Sequence, residues 1–208
     1  SLDEWFEAAG TRPDIIKVDT DGADLEVLRG GERVLRDNCV CVFVECRLNE
    51  PLSRYSANLA NVDAFLRGLG FSLYTLDVHG YTRKELPGPF VYDMFAQTRT
   101  GQVDWTDCAY MRDLAAPDYS DLFDFPVLPE RIFKLACIFE QFGLPDCSAE
   151  LILGHQRDVP CPDQLLDLLV PHHLGTGLNY PEYIKRFDAN PRALFASPRL
   201  LSKIHRPA

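Results

Sequence analysis

Two short apolar runs separated by a helical pattern constrain this chain more than any other feature of its sequence. Residues 15–18 hold three β-branched side chains, and residues 39–44 are apolar at every position. A strand that is apolar on both faces belongs inside a sheet covered on both sides, as in parallel α/β folds. Between the two runs, leucines recur at helical spacing, at Leu25, Leu28 and Leu35. This order predicts a strand, a helix and a parallel strand, the unit of a layered α/β fold.

The rest of the first hundred residues continues this alternation. An amphipathic helix is expected over residues 59–69, where apolar residues recur at helical spacing before Gly70. Residues 71–78 and 90–98 have the composition of strands, and the irregular segment between them begins at His79 and contains glycines and prolines. This pattern predicts a long antiparallel hairpin.

Helical patterns and prolines dominate from residue 105 to the end of the chain. Pro129 is well placed to begin a helix with one apolar face, and Gly143 follows that helix. Shorter helices are expected near residues 149–153, 164–170, 181–187 and 191–196. We therefore expect two parts, an α/β part over residues 1–104 and an α-helical C-terminal extension over residues 105–208.

Charge and composition exclude several classes of protein. The chain has 208 residues, of which 31 are acidic and 21 basic, and its formal net charge is −10. Nucleic acids and anionic membranes are bound through Lys and Arg, so neither partner is expected. The longest apolar run is far shorter than the roughly 20 residues of a membrane-spanning helix. The seven cysteines are irregularly spaced, which indicates reduced thiols and a cytoplasmic protein.

The segment that most suggests chemistry follows the first apolar run. There the strand ends in Asp19 and Asp21, and Gly22 permits a tight turn into the next helix. The second apolar run ends in the same way at Glu45. Because ligands of open α/β sheets bind at the carboxyl ends of the strands, we expect these carboxylates to share one crevice. Such a group can bind hydroxyls or a divalent metal, or hold a base with a raised pKa.

A purely structural interpretation stays open for the same residues. Asp21 can cap the following helix, and Glu45 can form an ion pair with Arg47 or with a lysine. His79, in the loop of the predicted hairpin, is a candidate for contacting a substrate near the crevice. Five cysteine and histidine residues farther along match no common zinc-ligand spacing: Cys147, His155, Cys161, His172 and His173. A zinc site is therefore not expected, and the role of any metal stays open.

Residues 16–31 resemble the central motif of FkbM-type methyltransferases. That motif runs hydrophobic-Lys-hydrophobic-Asp-x-Glu-Gly-x-Glu, and here it is Ile16-Lys17-Val18-Asp19-Thr20-Asp21-Gly22-Ala23-Asp24. Glu45 resembles the end of the family's next strand, and Ser1-Leu2-Asp3-Glu4 and Gly70-Phe71 resemble its flanking segments. The sequence departs from the pattern in three places, with Asp for Glu at Asp21 and Asp24 and Gly for Ala at Gly31. The resemblance covers roughly residues 1–98.

This resemblance implies a Rossmann-like fold and methyl transfer from S-adenosylmethionine to an oxygen of a small molecule or sugar. Asp19 and Gly22 would contact the cofactor, and Asp19, Asp21 and Glu45 would orient and deprotonate the acceptor. Glu45 and His79 would bind that acceptor. The chain would hold the fourth to seventh strands of a seven-stranded sheet. We therefore expect the glycine-rich, cofactor-binding half to lie outside this chain, and the chain alone to be inactive.

The same resemblance has a consequence for association. In that fold the fourth strand pairs with the first, so residues 15–18 would form an unpaired apolar edge. Such an edge favours pairing with another chain. Self-association through the sheet edge is therefore expected.

Two other functions stay open. Asp19-Thr20-Asp21-Gly22 after an apolar strand is similar to the start of haloacid-dehalogenase-type phosphatases, in which the first Asp is a nucleophile and the second an acid or base. Ala23 and the absence of a downstream Gly-Asp-x-x-x-Asp pair do not fit that family. The other possibility is a methyltransferase half retained as a non-catalytic binding or assembly module.

Overall fold

The computed structural model describes residues 1–50, 53, 55–89, 97–98, 101–171 and 177–195. The chain divides into two compact units, Ser1–Arg131 and Ile132–Ala208. This division lies later than residue 104, and the boundary at residue 104 stays a prediction. The two units are described separately below.

The first unit alternates helices and strands, as the apolar pattern predicts. Its elements are α1 (Leu2–Ala9), β1 (Ile15–Val18), α2 (Asp24–Gly30), α3 (Glu32–Asp37), β2 (Cys41–Arg47), α4 (Leu59–Gly68), β3 (Phe71–Tyr81), β4 (Gln97–Thr98), β5 (Gln102–Arg112) and α5 (Tyr119–Leu122). Helix α6 (Pro129–Gln141) begins at the end of this unit.

The five strands form one mixed sheet in the order β1-β2-β5-β3-β4. Strand β1 runs parallel to β2, and β5 lies antiparallel between β2 and β3. Strand β4 pairs antiparallel with the end of β3. The protein therefore has the α/β fold that was predicted, a mixed sheet with helices, together with a set of C-terminal helices.

The sheet corrects two sequence-based predictions. Residues 105–112, which were assigned to the helical extension, belong to strand β5 and lie in the middle of the sheet. The main partner of β3 is thus β5, whereas the predicted hairpin partner is described only at residues 97–98. Residues 90–96 of that predicted strand lie outside the described residues. Strand β5 was missed because its second half is buried on both faces, so its sequence lacks the alternation of a half-exposed strand.

One face of the sheet carries the core of the first unit. On this face, buried side chains of β1 and β2 pack against α2, α3 and α4. The strand residues are Ile16, Val18, Val42 and Val44, and the helix residues are Leu25, Leu28, Leu35, Val62 and Leu66. The helical pattern across residues 24–37 divides at Gly31 into α2 and α3. A Cβ atom at Gly31 would lie 3.2 Å from the side chain of Leu2, so this break also lets α1 pack closely.

The second unit is helical. It contains most of α6, then α7 (Pro145–Gly154), α8 (Pro162–Leu169), α9 (Tyr180–Ala189) and α10 (Pro191–Phe195). Prolines lie in the first turns of α7, α8 and α9, where their missing N–H groups leave no backbone hydrogen bond unmade. The Ser148 hydroxyl donates to the Ala136 carbonyl oxygen over 3.0 Å and joins α7 to α6. In the described part of the chain, no helix is long and apolar enough to cross a membrane.

Arg112, the last residue of β5, is completely buried. Its five N–H donors all find an oxygen acceptor: Cys39 O at 2.7 Å, Leu69 O at 2.9 Å, Tyr119 Oη at 2.5 Å, Leu35 O at 2.8 Å and Arg36 O at 3.0 Å. Its guanidinium lies 3.7 Å from the ring centre of Phe125 and 4.3 Å from that of Phe71. Burial lowers the pKa of Arg112 from its usual value, and the nearby Tyr119 opposes that change.

We expect Arg112→Lys to lower the free energy of unfolding by about 3 kcal/mol or more, because a lysine cannot satisfy five acceptors arranged around a planar guanidinium. Urea denaturation followed by circular dichroism measures this change. Arg36→Lys is the matched control, since the Arg36 side chain is half-exposed and paired with Glu32 at the surface. It should change stability by no more than about 0.5 kcal/mol. Equal effects of the two substitutions would contradict the central role of Arg112.

Candidate functional site

The turn after β1 is shaped by a buried carboxylate at the start of α2. Asp24 is 2% exposed, and it accepts the Thr20 N–H over 2.9 Å and the Gly22 N–H over 3.0 Å. These bonds fold the segment between them tightly, with Asp21 at φ 53° and Gly22 at φ 117°. Glycine adopts the second of these angles without strain. The position of Asp21 is therefore set by Asp24.

The structural interpretation of Asp21 as a helix cap is wrong. The residue before α2 is Ala23, and no side chain caps this helix. Asp21 is exposed on the turn instead. In the sequence, Asp24 is notable only as a departure from the family motif. In the structure, its carboxylate organises the turn by accepting two backbone N–H groups.

Asp19 directly follows β1, and Glu45 lies within β2. Val18 pairs with Val44 in the β1–β2 register, and each carboxylate is the next residue of the chain. Strand β2 continues to Arg47, so the prediction that it ends at Glu45 is wrong. Burial raises the pKa of the Glu45 carboxyl, and the negative charges of Asp19, Asp107 and Asp21 raise it further, against an opposing effect of Arg47. The charges of Asp19 and Asp21 thus act on Glu45, while their assignment to one crevice stays a prediction.

Two further carboxylates extend this group across the sheet. Glu45 lies opposite Asp107 on β5, and Asp107 lies opposite Asp77 on β3. Residues directly opposite in an antiparallel pair share a face of the sheet. Glu45, Asp107 and Asp77, one residue from each of three neighbouring strands, therefore form with Asp19, which follows β1, what we call the carboxylate row. Sequence reasoning missed Asp107 and Asp77, because their proximity depends on recognising β5 and its register.

Lysine and arginine side chains flank the row at its β1 and β2 end. Lys17 Nζ lies 3.0 Å from Asp19 Oδ2, and this contact raises the pKa of the Lys17 ammonium. Arg47 Nη1 lies 3.6 Å from Asp104 Oδ2, so its described ion pair is with Asp104 and not with Glu45. Like charges on directly opposite residues destabilise a sheet. The row therefore concentrates negative charge on one face of the sheet at a cost in stability.

His79 lies at the other end of the row. It belongs to β3 and not to a loop, which corrects its predicted position. Its ring stacks on Trp105 with centroids 3.8 Å apart. Its Nε2 atom lies 3.4 Å from Asp107 Oδ2 and 3.7 Å from Asp77 Oδ2. The expectation that His79 lies near the crevice thus agrees with the geometry, while its role stays a prediction.

Several histidine and cysteine side chains of the sequence are candidate metal ligands. Within the described ranges, no group of three or more His, Cys, Asp or Glu side chains is placed to hold a metal ion. His172 and His173, considered for zinc, lie outside the described residues. All seven cysteines lie inside them and are free thiols.

Comparison with known proteins identifies the first part of the chain. Residues 1–73 match the model of the methyltransferase FkbM domain. This segment is therefore similar to the FkbM methyltransferase family, in agreement with the resemblance drawn from residues 16–31. It includes β1, the Asp24-organised turn and β2, with Asp19, Asp21 and Glu45. No curated protein and no solved structure matches the chain.

We expect Asp24→Ala to lower the free energy of unfolding by about 2 kcal/mol, because it leaves two backbone N–H groups of the turn without their acceptor. Native-state hydrogen exchange should show faster exchange at Thr20 and Gly22. Glu26→Ala, two residues later in the same helix and exposed, is the matched control. If both variants leave the exchange of Thr20 and Gly22 unchanged, Asp24 does not hold the turn.

We expect Glu45→Gln to stabilise the protein by about 0.5 kcal/mol at pH 7, because it removes one member of a like-charge row. Since the pKa of Glu45 is raised in the folded state, its charged form is disfavoured there. The advantage of the glutamine variant should therefore shrink as the pH falls through that raised pKa. Thermal denaturation at several pH values measures the difference, with exposed Glu26→Gln as control. A stability loss at pH 7 would contradict the electrostatic assignment.

Proposed function

We propose that this chain serves S-adenosylmethionine-dependent methyl transfer to an oxygen atom of a small molecule or sugar. The observation that carries the proposal is that residues 1–73, which include Asp19, Asp21 and Glu45, match the methyltransferase FkbM domain. The same match favours methyl transfer over the phosphatase alternative for Asp19 and Asp21. The proposal places the reaction in the cytoplasm, where the free thiols stay reduced.

The residues at this edge fit the proposed cofactor. S-adenosylmethionine carries a positively charged sulfonium, which the Asp19 carboxylate and its neighbours in the row would attract. Asp19 is half-exposed at 48%, and an added Cβ at Gly22 would meet no atom within 4 Å, so both positions are open to a ligand. We therefore assign cofactor contacts to Asp19 and Gly22. When bound, the cofactor would supply an electrophilic methyl group.

The remaining task of the protein is to align the acceptor and remove its proton. A carboxylate of the row would hold the acceptor hydroxyl and take up its hydrogen. Glu45 suits this step, because its raised pKa makes it a better proton acceptor than an ordinary glutamate. Asp19 and Asp21 would orient the hydroxyl, and His79 would contact the acceptor from the β3 side.

The proposal also gives a role to the edge of the sheet. Strand β1 pairs with β2 on one side, and among the described strands none pairs with its other side. Ile15 on this edge is 49% exposed. We propose that a further segment carrying most of the cofactor contacts pairs with β1, and that β1 of a second copy competes for this edge when that segment is absent.

We expect S-adenosylmethionine to bind the protein at its natural length, and Asp19→Asn to weaken that binding by about tenfold, the effect of losing one charge near the sulfonium. Isothermal titration calorimetry measures both affinities. Asp146→Asn, an exposed aspartate on α7, is the control and should bind like the unmodified protein. The 208-residue chain tested alone should bind far more weakly. Absence of binding by the natural-length protein would overturn the proposed function.

A further inference from the structure

A pocket of about 470 Å³ lies where the chain leaves β2 and enters α4. This volume falls within the range of small-ligand sites in proteins. It contains none of the site residues predicted from the sequence. The lining comes from the end of β2, the residues after it, α4 with its N-cap residue, and β3. We call it the leucine pocket, and its described lining is Arg47, Leu48, Glu50, Asn58, Leu59, Ala60, Asp63, Arg67 and Leu73.

Apolar side chains from three segments line this pocket. Leu48, Leu59 and Leu73 are each partly buried, and Leu59 and Leu73 also pack against the buried core. Hydroxyl groups of a ligand lose their hydrogen bonds to water against such a surface and gain none in return, which is unfavourable. A ligand with hydroxyls on every side, as a sugar has, is therefore disfavoured here.

Most polar side chains of the pocket are already bound to other protein groups. Arg67 Nε donates to Asp63 Oδ2 over 2.8 Å, and Asp63 Oδ1 accepts from Tyr110 Oη over 3.2 Å. Asn58 Oδ1 caps α4 by accepting a backbone N–H over 2.9 Å. The carboxylate of Glu50 can accept a hydrogen from a hydroxyl group. The pocket thus suits a ligand with few hydroxyls.

Arg47 connects the leucine pocket with the carboxylate row. Arg47 and Glu45 are two residues apart in β2, so their side chains leave the same face of the strand about 7 Å apart. The positive charge of Arg47 acts on Glu45, where it opposes the rise of the pKa. Arg47 Nη1 is also 3.6 Å from Asp104 Oδ2. A hydroxyl placed at the Arg47 end of the pocket is therefore close to Glu45.

We propose that the leucine pocket binds the body of the methyl acceptor, and that this acceptor is an alcohol or phenol with an apolar ring rather than a sugar. Its reacting hydroxyl lies at the Arg47 end, near Glu45. The role of the ligand as acceptor rests on the proposed function, whereas the binding of an apolar alcohol to this pocket does not.

The test is an NMR titration of the ¹⁵N-labelled protein with thymol, a phenol with an apolar ring and one hydroxyl. Thymol should shift the backbone amide signals of Leu48, Leu59 and Leu73. Methyl glucoside, which is similar in size but hydroxylated on every side, should leave these signals unchanged at the same concentration. An equal or larger response to the sugar, or no response to either probe, would overturn the proposal.

A variant that fills the pocket locates the binding. Ala60 is exposed on α4 and lines the pocket, so Ala60→Leu occupies ligand space without entering the core. It should weaken thymol binding by about tenfold, the effect of losing the apolar contact of roughly two CH₂ groups. Ala64→Leu, the same change one turn later at an exposed position outside the lining, is the matched control and should bind thymol like the unmodified protein.

Equal weakening in Ala60→Leu and Ala64→Leu, or none in either, would overturn the proposal. The titrations contain no S-adenosylmethionine and need no turnover, so they separate a failure of this inference from a failure of the proposed function. Methyl transfer by the natural-length protein to methyl glucoside in preference to thymol would overturn this inference and leave the proposed function intact.

Discussion

The first unit depends on a single buried cation. Arg112 donates to backbone carbonyls after or within α3, before β2 and after α4, and to the hydroxyl of Tyr119 in α5. A buried charge is costly unless its hydrogen bonds are complete, and here they are. Because the partners come from four places in the chain, one side chain fixes how the ends of the helices meet the sheet. The carboxylate row, with its unfavourable like charges, lies farther along the strands.

The carboxylates of the row lie side by side across β2, β5 and β3, with Asp19 directly after β1. The carboxylate row opposes like charges on neighbouring strands, and it is held in place by a rigid apolar face and by the Asp24-organised turn. The arrangement separates two tasks. One face and one end of the sheet supply stability, whereas under the proposed function the row would supply the electrostatic environment in which a cationic donor and a hydroxyl acceptor meet.

Local sequence patterns were sufficient to predict some elements of the fold and some residues of the candidate site. The strand at residues 15–18, the carboxylates Asp19 and Glu45 and the helix after Asn58 were all recognisable from neighbouring residues alone. Strand β5 was not, since burial on both faces removes the alternation that identifies a strand. Because β5 was not predicted, Asp107 and Asp77 were not predicted to lie near the site. For the same reason His79 was predicted to lie in a loop. Cross-strand proximity depends on register over long separations, which a local pattern does not contain.

The position of β5 also bears on how the molecule assembles during synthesis. Strands β2 and β3 do not pair with each other, because β5 lies between them. Strand β5, which fills the space between them, leaves the ribosome after both β2 and β3. Until then β2 and β3 each present an uncovered backbone edge, a hazard for a nascent chain. The arrival of β5 joins the two parts of the sheet and, with its final residue, also brings in the buried guanidinium.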